Sequence, residues 1–385
     1  MPGIAIIGIA IIGGGIIGLC LARDLAREGR EVVLLDSGHH AGTTANAGSL
    51  HVQMQSRFLR MYPELVPNLE ASLPLYPAAV RSWQALEADL GADFELRRSG
   101  GLMVCETAEH YEFLAGKCAR EKALGLEVEM LDRAALRQAA PYLGDAVHGA
   151  EYCADEGKLN PLLANDALRR DLQARGVAHH LGTKVTRIEP RPDALRLHCA
   201  DGQVVLAAQV VLAAGAGTAA LAATLGLHVP VVAEPLHMNI TEATSPLILH
   251  LVQHAERMIT LKQLAAGQVV IGGGWPARFS GPRDFPTVEP ASLIGNLSLA
   301  QHIVPPIGGL RLLRSWAGVN TTADGQCILG PLPGEPRVHV AVPGDAGYTL
   351  GPLVAGMAAA LLLGRDPGFD VARFTAARFS PAASG

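Results

Sequence analysis

The sequence predicts an α/β fold, and three observations carry that expectation. A β-branched run at residues 9–12 stands directly before Gly13-Gly14-Gly15-Ile16-Ile17-Gly18, a G-x-G-x-x-G turn that opens a helix. A second strand, residues 31–35, follows that helix and ends on an acid, Asp36. The chain of 385 residues is 49% hydrophobic, enough to bury a large core as two domains or one large α/β unit.

Taken in order, the first strand and turn come from the apolar start. Gly8, Gly13, Gly14, Gly15 and Gly18 interrupt it and no positive residue precedes it, so it reads as a buried strand rather than a leader peptide. The helix is expected over 16–28, burying Leu19, Ala22, Leu25 and Ala26 at helical spacing, with Gly29 as its stop. Gly13 permits a tight turn, Gly15 lets the backbone approach a pyrophosphate, and Gly18 allows the helix to pack closely on the strand. The helix amino terminus adds free N–H groups and partial positive charge. Asp36 can accept both ribose hydroxyls of an adenosine and would repel a 2′-phosphate, which disfavours NADP. The unit is therefore a Rossmann-like dinucleotide site, and by itself it does not separate FAD from NAD.

Composition removes other classes. The net charge is −5 with lysines and arginines scattered, so no basic stripe marks a nucleic-acid surface. Cys20, Cys105, Cys118, Cys153, Cys199 and Cys327 lie far apart without a C-x-x-C pair, which leaves no readable zinc or iron–sulfur site and suits reduced thiols in a cytoplasmic protein. No stretch reaches the roughly 20 apolar residues of a spanning helix. A peripheral membrane contact is left open. There is no internal repeat, and the only biased segments are Pro- and Gly-rich residues 272–290 and an Ala- and Gly-rich tail.

After Asp36 and Ser37 comes a run of small and hydroxyl residues without helical or strand period, Gly42-Thr43-Thr44-Ala45-Asn46-Ala47-Gly48-Ser49-Leu50-His51. Here the sequence resembles the D-amino acid oxidase superfamily of FAD-dependent oxidoreductases, in which such a loop follows the pyrophosphate and passes under the flavin. The resemblance continues through Gly157-Lys158-Leu159-Asn160-Pro161, which leads into a helix over 162–175, and through residues 183–188, where the backbone of Val185 would meet the adenine. Residues 210–217, containing Ala214 and Gly215, resemble the returning strand against the cofactor. Trp316-Ala317-Gly318, residues 322–325 and residues 328–331 match the late pattern. It ends in the loop Gly344-Asp345-Ala346-Gly347-Tyr348-Thr349-Leu350-Gly351-Pro352, expected between a strand at 338–342 and a helix at 353–363. The resemblance implies FAD bound by Gly13, Gly15, Ile16, Ile17, Gly18, Asp36, Ser37, Thr43, Thr44, Ala47, Gly48, Leu50, Val185, Ala214, Gly215, Gly318, Gly344, Gly347, Tyr348, Thr349 and Leu350. Relatives often have His after the glycine at 344; here Asp345 stands there, its carboxylate expected to turn away from the flavin.

Residues 46–53, 261–263, 272–276 and 316–320 look most like the FAD subunits of opine oxidases and D-hydroxyproline dehydrogenases. That likeness implies oxidation of the C–N bond of a small amino or imino acid, with electrons leaving to a partner subunit or quinone. Hydride transfer to flavin needs a neutral substrate amine and precise placement more than a dedicated base. The candidate catalytic residues are His51, Lys262, Asn320 and Tyr348. His51, just past the flavin loop, would orient substrate or tune the flavin, against a packed core histidine. Lys262 would stand beside the flavin as in sarcosine-oxidase relatives, although an exposed sheet lysine is the expectation for it. Tyr348 would close the substrate site through its hydroxyl, against packing over the loop. Asn320 stands where amino-acid-oxidising relatives place an arginine that pairs with the substrate carboxylate. The replacement cation would come from Arg57, Arg60, Lys262 or Arg278. Trp275 and Trp316 are expected in the core. Residues 54–77 hold Pro63, Pro67, Pro74 and Pro77, too many for one helix, and read as a broken covering element.

The expected architecture is a Rossmann-like FAD-binding domain in three pieces, 1–85, 147–225 and 315–385. A discontinuous, mostly antiparallel α+β substrate domain is expected from 86–146 and 226–314. Two rival functions are an oxygen-using glycine or sarcosine oxidase and a non-catalytic FAD-binding subunit of a complex.

Overall fold

The computed structural model of the chain describes residues 5–38, 42–279, 281 and 285–379, so the Ala- and Gly-rich tail from 380 lies outside the described residues. The apolar run at the amino terminus forms the strand Ile6–Ile12 at the centre of the first sheet, whose order is Ile328–Leu332, Glu335–Val342, Val204–Leu212, Ile6–Ile12, Val32–Asp36 and Ala178–Leu181. The five strands from Glu335–Val342 to Ala178–Leu181 run parallel, and Ile328–Leu332 pairs antiparallel at one edge. Buried on both faces, a central parallel strand reads as continuous Val, Ile and Leu, which is why its signal in the sequence is plain. Val185–Pro190 and Leu195–Cys199 form an antiparallel branch off Val204–Leu212.

One face of this sheet is covered by the helix Ile16–Arg27, itself packed against Gly347–Leu362 and Pro161–Ala174, with Leu75–Leu90 outside them. Trp83 of that outer helix is fully buried, edge-on to Phe94 and stacked on Tyr348 with centroids 5.1 Å apart.

The second sheet runs Leu312–Thr322, Val232–Ala243, Gln268–Gly272, Thr260–Gln263, Leu251–His254, Gly101–Cys105, Gly149–Cys153 and Val128–Leu131. It is antiparallel except where Leu251–His254 pairs parallel with Gly101–Cys105. Its strand Leu312–Thr322 spans position 315, where the last FAD-domain piece is expected to begin, and Gly149–Cys153 lies just after 147, where the second is expected to begin.

The chain departs from expectation again at its last helix. A start at 353 is expected because a proline usually precedes a helix or occupies its first turn. Instead the helix spans Gly347–Leu362 with Pro352 inside. Pro352 cannot supply the amide that would bond the carbonyl one turn back, that of Tyr348. Trp83 fills the place: its indole Nε1 donates to Tyr348 O at 3.0 Å and to Thr349 O at 3.1 Å. The covering segment at 54–77 is broken as its prolines require, into Ser56–Met61, Pro63–Leu65 and Val66–Ser72 before the Leu75 helix.

Candidate active site

At the carboxyl ends of the parallel strands the glycine turn makes a cradle with no room for a side chain. Gly13 has φ +116°, and a Cβ there would lie 2.3 Å from Ala213 O; at Gly18 it would lie 1.9 Å from Gly13 O. Gly14, to which the G-x-G-x-x-G pattern assigns no task, is as constrained: its Cβ would fall 2.1 Å from Asp36 Oδ2. The Asp36 carboxylate thus stands directly over the turn, where it accepts from Gly38 N at 3.0 Å. His179, of the strand beside it, brings Nε2 to 3.4 Å from Asp36 Oδ2. Nothing in the sequence points to that contact, because Ala178–Leu181 is a mostly polar edge strand without a clear period. Val185 opens the next strand, buried and paired with Cys199. The first amides of Ile16–Arg27 have no carbonyl one turn back. Thr43 Oγ1 takes one of them, Ile16 N, at 2.9 Å.

The loop after Thr43 is built for close approach. Gly48 has φ +73°, and a Cβ would meet Leu159 O at 2.3 Å. Ser49–Leu50 then pairs with Gly157–Lys158. His51 N donates to Thr349 Oγ1 at 3.1 Å, and that hydroxyl donates to Ser49 O at 3.4 Å, tying the loop to the first turn of Gly347–Leu362. Ala214 and Gly215 follow Val204–Leu212 beside Gly13, and Gly344, with φ +73°, packs against Gln326 O. The early loop, the late loop and the glycine turn are therefore parts of one cradle.

The second sheet faces this cradle. Side chains alternate along a strand, so Trp316, Gly318 and Asn320 share one face with their partners Met238, Leu236 and Glu234. Trp316 Nε1 donates to Ala45 O at 2.9 Å, and Lys262 Nζ donates to Ala47 O, which fixes that face as the one under residues 43–51. The opposite face, with Asn239 bonded to Asn296 at 2.9 Å, lies under the helix Pro290–Ile303.

Lys262 corrects an expectation. It is 0% exposed rather than a surface sheet lysine. Burial, and then the Lys158 charge, hold its ammonium well below the usual lysine range. Burial followed by the Lys262 charge lowers His51 to about 4, so its ring is neutral at pH 7. Tyr348 corrects another: its hydroxyl donates to Asn165 Oδ1 at 3.1 Å within the helix layer, so the side chain packs and does not close a substrate site. Asn320 turns its amide to Glu234 Oε2 at 3.4 Å. Nearby, Asp345 is pushed up to about 7 by burial and then by Glu234 and Asp324. Among the described residues Asn320 therefore stands beside carboxyl groups and not beside a cation.

Of the four candidate cations, Arg60 pairs with Glu256 at 2.7 Å and Lys262 is committed to Ala47. Arg278 is largely exposed, 3.9 Å from Glu289. Neither Lys262 nor Arg57 makes an ion pair among the described residues, and Arg57 lines a cleft with Met258, Trp275 and His302 beside the helix Pro290–Ile303.

The arrangement fits a dinucleotide with a planar ring. The cradle is lined by glycines a Cβ would close, and Ser49 Oγ and His51 Nδ1 are buried with no hydrogen-bond partner among the described residues. A family model described as DAO, FAD dependent oxidoreductase, matches residues 8–361. The chain belongs to this family. As a DAO-family protein it is an FAD-dependent oxidoreductase, in keeping with the two sheets described. It is 28% identical over 331 residues to one of the subunits of the opine oxidase of Rhizobium meliloti, covering 83% of each chain. With glycine oxidase of Geobacillus kaustophilus it shares 27% identity over 374 residues and 96% of each chain. The crystal structure of that glycine oxidase superposes with a TM-score of 0.86 at 25% identity, covering 97% of this chain and 99% of the other. The fold is also that of L-proline dehydrogenase from P. horikoshii, TM-score 0.84 at 20% identity over 98% of each chain. Among the described residues no helix is long and apolar enough to cross a membrane, and no group of His, Cys, Asp and Glu could hold a metal ion.

Proposed function

We propose that this DAO-family chain oxidises the C–N bond of a small amino or imino acid of the D-hydroxyproline, D-proline or opine-like class. Electrons then leave to a partner subunit or quinone rather than to oxygen. The observation that carries the reading is the meeting of the glycine cradle with a polar sheet face, where Lys262 and a neutral His51 stand under the loop 43–51. FAD held there would supply the two-electron acceptor for hydride from the substrate α-carbon.

In this reading Gly13, Gly15, Ile16, Ile17, Gly18 and Thr43 receive the pyrophosphate, and Asp36 with Ser37 takes the adenosine ribose. Thr44, Ala47, Gly48, Leu50, Gly318, Gly344, Gly347, Thr349 and Leu350 line the ring, with Val185, Ala214 and Gly215 at the adenosine end. His51 orients the substrate amine, which must be neutral before hydride transfer; with its ring pKa lowered to about 4 it is not the base that deprotonates it. Arg57 receives the substrate carboxylate in place of the absent arginine at 320. The likeness to the opine oxidase chain supports a substrate bulkier than glycine and a partner subunit.

The test is an anaerobic titration of the yellow protein with D-hydroxyproline isomers, D-proline, sarcosine, glycine and octopine. Bleaching by a D-imino acid or an opine supports the reading, and bleaching only by glycine or sarcosine refutes it. One observation favours an oxygen-using oxidase as the second reading: Lys262 stands buried against Ala47 of the flavin-facing loop. Oxygen uptake with substrate and no dye decides between the two.

A further inference from the structure

Behind the flavin-facing loop lies a dry cluster of ionisable and amide groups that the proposed chemistry does not use. Lys117, Glu121, Glu151, Glu156, Gln53 and Gln253 are all 3% exposed or less. Lys117 Nζ lies 3.0 Å from Glu121 and 2.6 Å from Glu151, so the two carboxyls share one ammonium, and burial raises Glu151 to about 9. Glu156 is different. Its Oε1 accepts from Val52 N at 2.8 Å and Gln53 N at 3.1 Å. Its Oε2 accepts from Gln53 Nε2 at 3.0 Å and Gln253 Nε2 at 2.8 Å. Every partner is a donor, so only the ionised carboxylate satisfies all of them, and these donors oppose the burial that raises its pKa to about 7. The protein leaves space for it: a Cβ on Gly101 would fall 1.8 Å from Glu156 Oε2. Gln253, held by this carboxylate, accepts from Gln55 Nε2 at 2.5 Å and lies against the His51 ring.

We propose that Glu156 is a positioning residue that sets the place and hydrogen bonding of His51, through the backbone of Val52 and Gln53 and through the Gln253 amide. The assignment rests on residues 43–51 being the flavin-facing loop only for its catalytic consequence. Replacing the carboxylate by an amide has a definite geometric result. The backbone donors of Val52 and Gln53 cannot turn, so the oxygen of Glu156→Gln stays with them and its NH2 faces the two glutamine side chains. Gln53 and Gln253 must then flip, and the Gln253 oxygen leaves Gln55 and His51.

The test uses the full-length protein with 15N-labelled histidine, first without flavin, the His51 signals being identified by their loss in His51→Gln. Glu156→Gln is expected to keep the fold while moving the His51 ring resonances and its titration. Gln253→Met is expected to produce the same change, with nothing added in the double variant. His51 signals that superimpose on the wild type in both single variants overturn the proposal, and so does an additive double variant. Should Glu156→Gln not fold, Gln253→Met carries the test, because it leaves the backbone anchors intact. With FAD added, Glu156→Gln is expected to weaken flavin binding at least about tenfold and to change the visible circular dichroism of the bound ring. A shifted His51 with unchanged flavin binding and spectrum supports Glu156 as its positioner and refutes the flavin-facing assignment of the loop.

Discussion

Replacing Trp83 by Phe tests how the late loop is held. The phenyl ring keeps the stack on Tyr348 and the edge contact with Phe94, but removes the donor that reaches Tyr348 O at 3.0 Å. Thr349 O keeps its ordinary helical partner, the amide of Leu353. Tyr348 O does not, because residue 352 is proline. A buried carbonyl left without a donor costs about 1–3 kcal/mol, and the lost part of the indole adds roughly 1–2 kcal/mol of packing. Trp83→Phe should therefore destabilise the protein by about 2–5 kcal/mol in urea denaturation followed by far-ultraviolet circular dichroism. The diagnostic is the cycle with Pro352→Ala, which restores an amide able to bond Tyr348 O. In that background the Trp83 substitution should cost about 1–3 kcal/mol less, leaving mainly the packing loss. Costs that add within about 0.5 kcal/mol would show that the indole does not replace the amide lost at Pro352.

Three further outcomes are expected. Gly14→Ala drives a methyl into Asp36 Oδ2, 2.1 Å from the ideal Cβ, so FAD should bind at least about tenfold more weakly, roughly 1.4 kcal/mol; unchanged affinity in a flavin-fluorescence titration sinks that placement of Asp36. Asp345→Asn should stabilise the flavin-free protein above neutral pH and leave it unchanged near pH 4. The carboxyl is raised to about 7 when folded, so between about 4 and 7 the unfolded chain releases a proton the native state keeps, and native stability falls as pH rises. At about 1.4 kcal/mol per unit, discounted for partial exposure, the gain at pH 8 is about 2–4 kcal/mol, and a pH-independent gain argues against a titrating Asp345. Arg57→Gln should raise KM for the oxidised substrate by about 10–100-fold with a smaller change in kcat, the signature of a lost carboxylate contact; an unaltered KM assigns the carboxylate elsewhere.

The glycine turn, its helix and Asp36 were legible because each is a local requirement: a tight turn, an exposed helix terminus, a carboxylate at a strand end. The order of the motifs located the late loop as well. What sequence could not supply was decided at long range. Lys262 carries no sign of burial in Thr260-Leu261-Lys262-Gln263, since its face is set by the register with Val270 and by a loop more than two hundred positions away. The last helix starts at Gly347 and not at 353, with Pro352 inside it and the distant Trp83 indole in place of the amide it lacks. Tyr348 lay within a segment expected to meet the cofactor, yet its side chain points into the helix layer toward Asn165. Glu156 was passed over although it adjoins Gly157-Lys158-Leu159-Asn160-Pro161. Its four donors come from positions 52, 53 and 253, and nothing local marks it. Gly14 had a visible signal, three glycines in succession, but its reason became apparent only with Asp36 placed above it.

The central place of Ile6–Ile12 bears on how the protein is made. The strand is made well before most of its neighbours, of which only Val32–Asp36 follows soon after. Val204–Leu212 comes much later, and Glu335–Val342, which completes that side of the sheet, more than three hundred positions on. At about 5–20 residues per second, the newborn strand waits on the order of tens of seconds to a minute for its full set of partners. Through that interval a run of isoleucines has no finished sheet to enter. Nascent chains should therefore depend on chaperone cover until Glu335–Val342 has been made, and a product stalled or truncated before it would be left with this apolar strand unshielded.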